Sequence, residues 1–275
     1  MDLTIALDEK RGRGALPFAS KAAAPSARIA NNAPMIDAEA ADRLPAGWLL
    51  DEVASAGREN LDPDHVARYD GKEDADAAAE VALLRELGLT PASSVIDMGA
   101  GTGQFTLSVA AHCRQVVAVD VSPVMLQELR RKVALLRLGN VGTVMAGFLT
   151  YEHRGQPVDV IYSRLALHHL PDMWKAVALS RMRGATRRGG LLRLVDVIYD
   201  FEPQHAYERL EAWCATGGEE IVGEWARVEL EEHVRDEHST FRWLLEPMIQ
   251  RAGFAIEDVD FSEDGIYGRY VLRAT

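Results

Sequence analysis

Residues 97 to 103 read Asp-Met-Gly-Ala-Gly-Thr-Gly, an acid followed by three glycines spaced two apart. The apolar Val95-Ile96 precedes them and a helical pattern, Phe105, Leu107, Val109 and Ala110, follows, which predicts a strand, a tight turn and a helix start. That geometry builds a nucleotide pocket. A turn off a strand end needs positive φ or close backbone approach to a ligand, and a Cβ would block both; the helix start adds free N–H groups to the pocket floor. A dinucleotide fingerprint, G-x-G-x-x-G, would place its third glycine at Gln104, whereas here it comes one residue early, at Gly103. Asp97 is an anion at the strand tip and suits an ammonium or sulfonium better than a pyrophosphate. Asp120 ends a second apolar run, Val116 to Val119, 21 residues after Gly99, where a carboxylate can accept both hydroxyls of a ribose. His168, His169 and His238 are candidate general bases, because imidazole titrates near neutral pH. Arg164 could bind a substrate carboxylate, although a salt bridge to a nearby acid is its commoner use.

Elements that would position these groups can be read along the chain. Ser122-Pro123 is a cap with proline in the first helical turn, and Met125, Leu126, Leu129, Val133 and Leu136 continue the helical period. Residues 143 to 149 read as a third strand and its exit. Val158 to Ser163 reads as a fourth strand, leading into Arg164-Leu165-Ala166-Leu167-His168-His169-Leu170. Arg183-Gly184 and Arg188-Gly189-Gly190 read as a helix end and a glycine turn before a fifth strand reaching Asp196. Leu244 to Ala252 is a short amphipathic helix closed by Gly253, and Phe254 to Phe261 with Ile266 to Arg273 form an antiparallel hairpin. Ahead of the core, Trp48 to Ala56 reads as helical and Asp62 to Asp70 as a capped helix. Between the fifth strand and the hairpin, residues 202 to 239 are helical in pattern, interrupted at Ala215-Thr216-Gly217-Gly218. Trp213, Trp225 and Trp243 sit at helical spacing and are expected in the core; the glutamates Glu219-Glu220, Glu229 and Glu231-Glu232, with Asp236-Glu237, are expected to form a solvated face.

In this order the pieces resemble the class I S-adenosylmethionine-dependent methyltransferases: Asp97 to Gly103 resembles the motif (D/E)-x-G-x-G-x-G, and Asp159 to Leu170 resembles D-x-x-x-S-x-x-A-L-H-H-L. The resemblance implies an α/β fold, a doubly wound, Rossmann-like, seven-stranded and mostly parallel sheet with its last strand antiparallel. It implies an N-terminal extension or lid over residues 1–60, a cofactor-binding core over 61–201, a helical substrate lid over 202–239, and a helix and hairpin over 240–275 that complete the sheet. It places the cofactor, S-adenosylmethionine, against Tyr69, Asp97, Gly99, Ala100, Gly101, Gly103, Asp120, Val121, Gly147, Phe148 and Ser163. At the exit of the third strand related enzymes often carry an Asp for the adenine amino group. This chain has Gly147-Phe148 there, so the Phe148 backbone N–H or ring is the expected substitute. His169, with His168 second, is the expected catalytic residue.

The gross composition is consistent with that reading. A length of 275 residues suits one large α/β domain with insertions. A formal net charge of −12 disfavours a nucleic-acid partner, and the Arg181, Arg183, Arg187 and Arg188 cluster reads as a solvated helix end. No apolar run is long enough to span a bilayer, and no signal-peptide core follows the first basic residues. A cytoplasmic monomer or homodimer is expected, with residues 1 to 34 a mobile tail. Cys113 and Cys214 lie 101 residues apart, without metal-ligand spacing, and read as two buried thiols. The Asn/Asp-Pro-Pro-Tyr/Phe signature of enzymes that methylate nucleic-acid amino groups is replaced by Tyr162-Ser163-Arg164, which points to a small-molecule acceptor. The alternative reaction on the same cofactor uses its aminocarboxypropyl arm, transferred or cyclised, and releases methylthioadenosine; a lid that left no room for an acceptor would favour it.

Overall fold

The computed structural model describes residues 46–57, 59–72, 76–218 and 225–275. The tail expected over residues 1 to 34, and Glu219, Glu220 and Ile221 of the expected lid, lie outside them. The described residues from Trp48 onward form one unit. Its first elements are α1 (Pro63–Lys72) and α2 (Ala77–Glu86), followed by β1 (Ser94–Met98), α3 (Gln104–Val109), β2 (Gln115–Asp120), α4 (Pro123–Leu135), β3 (Val141–Met145) and β4 (Val158–Arg164). Then come α5 (Asp172–Ala185), β5 (Thr186–Tyr199), α6 (Ala206–Cys214), α7 (Arg227–Asp236), β6 (Thr240–Phe241), α8 (Arg242–Ala252), β7 (Phe254–Phe261) and β8 (Tyr267–Ala274).

The strands form one sheet in the order β3-β2-β1-β4-β5-β8-β7, with the two-residue β6 paired to the end of β5. Pairings from β3 to β5 are parallel, and β8 runs antiparallel to both β5 and β7. The chain winds outward from β1 to β3, then returns to the other side of β1 as β4. The carboxyl ends of β1 and β4 therefore flank the switch point, where open α/β sheets bind their ligands. β1 is buried at all five positions, as expected for a parallel strand covered on both faces. One core face holds Ile96, Ile161, Leu192 and Leu194 with Leu179, Leu245 and Ile249 from the helices; the other holds Val95, Val116 and Val160 with Leu84, Phe105 and Val109.

Local signals explain the helix ends. Asp62 Oδ1 accepts from the backbone N–H of Asp64 at 2.7 Å and of His65 at 3.3 Å, starting α1. Ser122 Oγ accepts from Met125 N at 3.1 Å, starting α4. Gly253, at φ 96°, ends α8.

Several boundaries differ from the sequence expectation. Trp48 to Ala56 forms turns rather than a helix, held in part by Asp51 Oδ1, which accepts from Val53 N and Ala54 N. β3 ends at Met145, and Gly147 to Thr150 is a turn. α5 continues through Gly184, and β5 starts at Thr186 with a register shift against β4 that absorbs Gly189-Gly190. Trp243 is exposed, whereas Trp213 is buried as expected. No helix among the described residues is long and apolar enough to cross a membrane, and both cysteines are free and buried.

Gly103 shows how tightly the turn after β1 meets α4. It has φ 89°, and a Cβ there would lie 2.1 Å from Leu129 Cδ1. Gly103→Ala is expected to lower the free energy of unfolding in urea by about 2–4 kcal/mol, combining overpacking with backbone strain. Gly139→Ala, where nothing lies within 4 Å, is expected to change it by no more than about 0.5 kcal/mol.

Candidate active site

The three glycines after β1 all have positive φ, yet they have different surroundings. A Cβ on Gly99 would lie 2.3 Å from Ala166 Cβ, so Gly99 lets this turn pass the loop after β4. Gly103 packs on α4. A Cβ on Gly101 would meet only Met125 Sδ, at 4.0 Å, because Gly101 faces an open cleft of about 650 Å³. Gly99, Asp120, Val121, Gly147 and Phe148 line the same cleft, together with Tyr69, Arg164 and His169. A smaller pocket continues from it past Ala100, Thr102 and Asp97. Gly103 and Ser163 line neither. Ser163 is fully buried and its Oγ has no hydrogen-bond partner among the described residues.

Three carboxylates surround this cleft. Asp120 Oδ2 accepts from Gly101 N and Oδ1 from Ser122 N, both at 2.8 Å, so the acid that ends β2 also holds the glycine turn in shape. Burial pushes its carboxyl up. Asp97 is buried and accepts from Thr106 Oγ1 at 2.6 Å; burial, with the Asp120 charge adding to it, pushes its carboxyl up to about 7. The third is Glu52, from the turns ahead of α1. Its carboxylate accepts from Leu149 N at 3.0 Å and from Thr150 Oγ1 at 3.1 Å, and burial raises its pKa. It occupies the space that a side chain at position 147 would take, since a Cβ on Gly147 would lie 2.3 Å from Glu52 Oε1. The turn after β3 thus gives its Leu149 amide to Glu52.

Tyr69 borders the cleft, its smaller extension and a second cavity. Its helix is tied down by the next residue, Asp70, which accepts from Thr102 Oγ1 and pairs with Lys132 of α4. The second cavity is about 850 Å³ and meets the first at Asn60, Tyr69, Leu165 and His169. Leu165 is a non-glycine residue at φ 47°, a strained conformation of the kind that surrounding structure must hold in place. Val197, Trp213, Trp225, Leu230 and Tyr267 give the second cavity its apolar wall, and His168, His233 and Glu237 give it a polar one.

His168 is bonded on both sides of its ring. Nδ1 pairs with Asp196 of β5, and Nε2 lies 3.0 Å from Glu237 Oε2. Burial alone would lower its pKa, but the carboxylates of Asp196 and Glu237 raise it to about 10. His169, by contrast, is held neutral by burial and by its charged neighbour, its pKa pushed down to about 3. The His238 side chain is exposed and lines neither cavity. Glu52, Asn60, Asp196, His233 and Glu237 were missed as site residues by motif reading; Glu237 was expected on the solvated acidic face, and nothing in the local sequence shows that it and His233 line the second cavity.

The sequence pattern of the methyltransferase domain family matches residues 95–190. Trans-aconitate 2-methyltransferase of Methylobacterium radiotolerans is 31% identical over 162 residues, 57% of this chain and 59% of that protein. Malonyl-(acyl-carrier protein) O-methyltransferase of Halorhodospira halophila is 30% identical over 134 residues, 48% of this chain and 43% of that protein. The chain spans less than two thirds of the length of these curated relatives. Among solved structures, magnesium protoporphyrin IX methyltransferase of Synechocystis PCC 6803 with bound S-adenosylmethionine shares the fold at a TM-score of 0.57 and 16% identity, over 83% of this chain and 99% of that one. The strand order, the glycine turn at the switch point and a family match running from β1 into β5 make this chain similar to the class I S-adenosylmethionine-dependent methyltransferases.

Proposed function

We propose that the chain transfers a methyl group from S-adenosylmethionine to a small molecule, with the first cleft holding the cofactor and the second cavity holding the acceptor. The observation that carries this reading is the meeting of the two spaces at Tyr69, Leu165 and His169. The donor set fits the cofactor: Gly101 leaves open space, Asp120 is aimed at the position of a ribose, and the buried Asp97 carboxyl lies beside the extension where a cationic end would sit. Glu52 takes the part of the acid absent from the β3 exit and receives the adenine amino group. Val121, Gly147 and Phe148 border the adenine, Gly99 and Ala100 the methionine end, and Tyr69 with Arg164 the methionine carboxylate. Bound there, S-adenosylmethionine supplies a methyl group on a sulfonium leaving group.

The chain's own task is to hold the acceptor in line with that methyl and to exclude water, which can account for several kcal/mol of the barrier. His169, at the junction, is assigned as the residue that touches the acceptor. His168 orients the loop on which His169 sits. Trp213, Trp225, Leu230 and their neighbours in 225–239 wall the acceptor cavity and set its shape, and Glu52, Ala56 and Asn60, ahead of the core, border the cofactor cleft. The relatives named above act on small acids and on carrier- or porphyrin-bound groups, which supports a small-molecule acceptor as a class. The room in the second cavity favours methyl transfer over use of the aminocarboxypropyl arm.

Incubation with S-adenosylmethionine alone, followed by mass spectrometry of the small molecules, is expected to give no turnover; release of methylthioadenosine would overturn the methyl-transfer reading. Titration calorimetry with S-adenosylhomocysteine is expected to show that Asp120→Ala weakens binding by about 1.5–3 kcal/mol, the range of charge-assisted hydrogen bonds, and that Gly101→Val abolishes it. Unchanged affinity in either variant would move the cofactor elsewhere.

The Asp97 carboxyl yields a pH signature. Its pKa is raised from 3.8 to about 7, so its contribution to stability is complete below about pH 4 and is lost as the pH rises through about 7. In Asp97→Asn that loss is absent. The unliganded variant should therefore gain in Tm relative to the unsubstituted protein between pH 5 and pH 8, while its affinity for S-adenosylmethionine falls about tenfold or more. Parallel Tm curves for the two proteins across that range would show that Asp97 does not carry the buried charge.

A further inference from the structure

We propose that His168, His233 and Glu237 form a binding site for a divalent first-row metal ion of the zinc type, facing into the second cavity. His168 comes from the 3-10 turn after β4, while His233 lies in the last turn of α7 and Glu237, four residues on, is the residue that ends that helix. One donor atom from each, Nε2 of His168, Nδ1 of His233 and a carboxylate oxygen of Glu237, all lie within 4.8 Å of one another. Glu237 Oε2 is 3.0 Å from His168 Nε2 and 2.5 Å from His233 Nδ1. This oxygen is buried, and its approach to both rings has the distance but not the alignment of a hydrogen bond. A carboxylate oxygen placed between two imidazole nitrogens in that way is what a shared cation would organise.

The groups behind these donors supply the second, independent observation. His168 Nδ1 is held by the Asp196 carboxylate, which directs Nε2 toward Glu237. His233 Nε2 is within 2.8 Å of Ser239 Oγ, which directs Nδ1 to the same point. Each imidazole thus has its outer nitrogen fixed by an oxygen partner and its inner nitrogen facing the common centre, the arrangement in which histidines bind metals. Asp196 is itself tied to the amides of Leu167, His168 and Val197. At metal–ligand distances of about 2.0–2.2 Å the donors would stand about 3.4 Å apart, so an ion needs Glu237 to draw back by less than about 1 Å.

Two imidazoles and one carboxylate select zinc-like or ferrous ions over magnesium or calcium, and leave at least one coordination position open. That position faces the cavity assigned to the acceptor, so the ligand class is a small molecule offering an anionic or chelating oxygen. This last clause rests on the acceptor reading; the metal site does not.

The test uses the full chain, stripped with a chelator and titrated with Co²⁺ as a spectroscopic stand-in, then with Zn²⁺ as competitor. One equivalent of Co²⁺ is expected to bind with visible ligand-field bands, without a thiolate charge-transfer band, and to be displaced by Zn²⁺. His233→Gln and Glu237→Gln, shown to be folded by circular dichroism melting, are each expected to weaken Co²⁺ binding at least 100-fold. No saturable uptake, a thiolate band, or uptake unaffected by these variants would overturn the site. If either variant fails to fold, X-ray absorption of the Co²⁺-loaded unsubstituted protein decides: two imidazoles with oxygen ligands support the site, and any other shell overturns it. S-adenosylhomocysteine affinity measured on the same stripped protein reports the cofactor reading separately, so loss of one leaves the other standing.

Discussion

The loop between β4 and α5 is organised by one buried charge, the carboxylate of Asp196. Standing on β5 at the centre of the sheet, it accepts from the amides of Leu167 at 2.8 Å, His168 at 3.3 Å and Val197 at 2.8 Å, and it pairs with the His168 ring. A buried carboxylate without such partners would cost far more than a domain can spare, so the loop has to wrap its amides around it. The wrapping brings Ala166 against Gly99 and Leu165 into its strained conformation, and it leaves His169 between the two cavities. Burial would raise the Asp196 pKa, but the His168 charge holds it below the usual carboxylate range.

A second buried charge fastens the same loop to the segment that follows α7. Lys175, almost wholly enclosed, donates to the Leu170 carbonyl at 2.6 Å, to the His238 carbonyl and to Asp172. The His168 carbonyl in turn accepts from His238 N at 2.9 Å. The segment that follows α7 is thus bonded to the loop that borders the first cleft, and a shift in one carries to the other through few bonds. Aromatic packing supports the junction: the Trp213 ring meets His233 edge-on at 5.3 Å.

The strand tips were legible in the sequence because their signals are local. An apolar run ending in an acid, as at Asp97 and Asp120, and glycines at a fixed spacing are dictated by the turn itself. Tyr69 was accessible only through resemblance, and its position at all three spaces depends on the Asp70 contacts with Thr102 and Lys132, 32 and 62 residues away. Glu52 left no local trace, since nothing in a turn-forming stretch announces that its carboxylate will reach a loop 97 residues later. Glu237 looked like one more acid on a solvated helix. Only the three-dimensional neighbourhood of His168 distinguishes it from Glu231 and Glu232. Gly103 was the opposite case: a glycine of the motif against which Leu129 packs, so closely that a Cβ would collide with it.

Gly147 and Glu52 share one volume. A side chain at 147 would collide with the Glu52 carboxylate, and Glu52 can reach the β3 exit only because nothing projects there. The two positions are therefore coupled by exclusion. Homologous chains with an acid at the β3 exit should carry a short residue at the place of Glu52, and chains with glycine there should keep a long acid ahead of the core. Such alternation would trace where, in the history of the fold, one carboxylate was handed from the sheet to the leading segment.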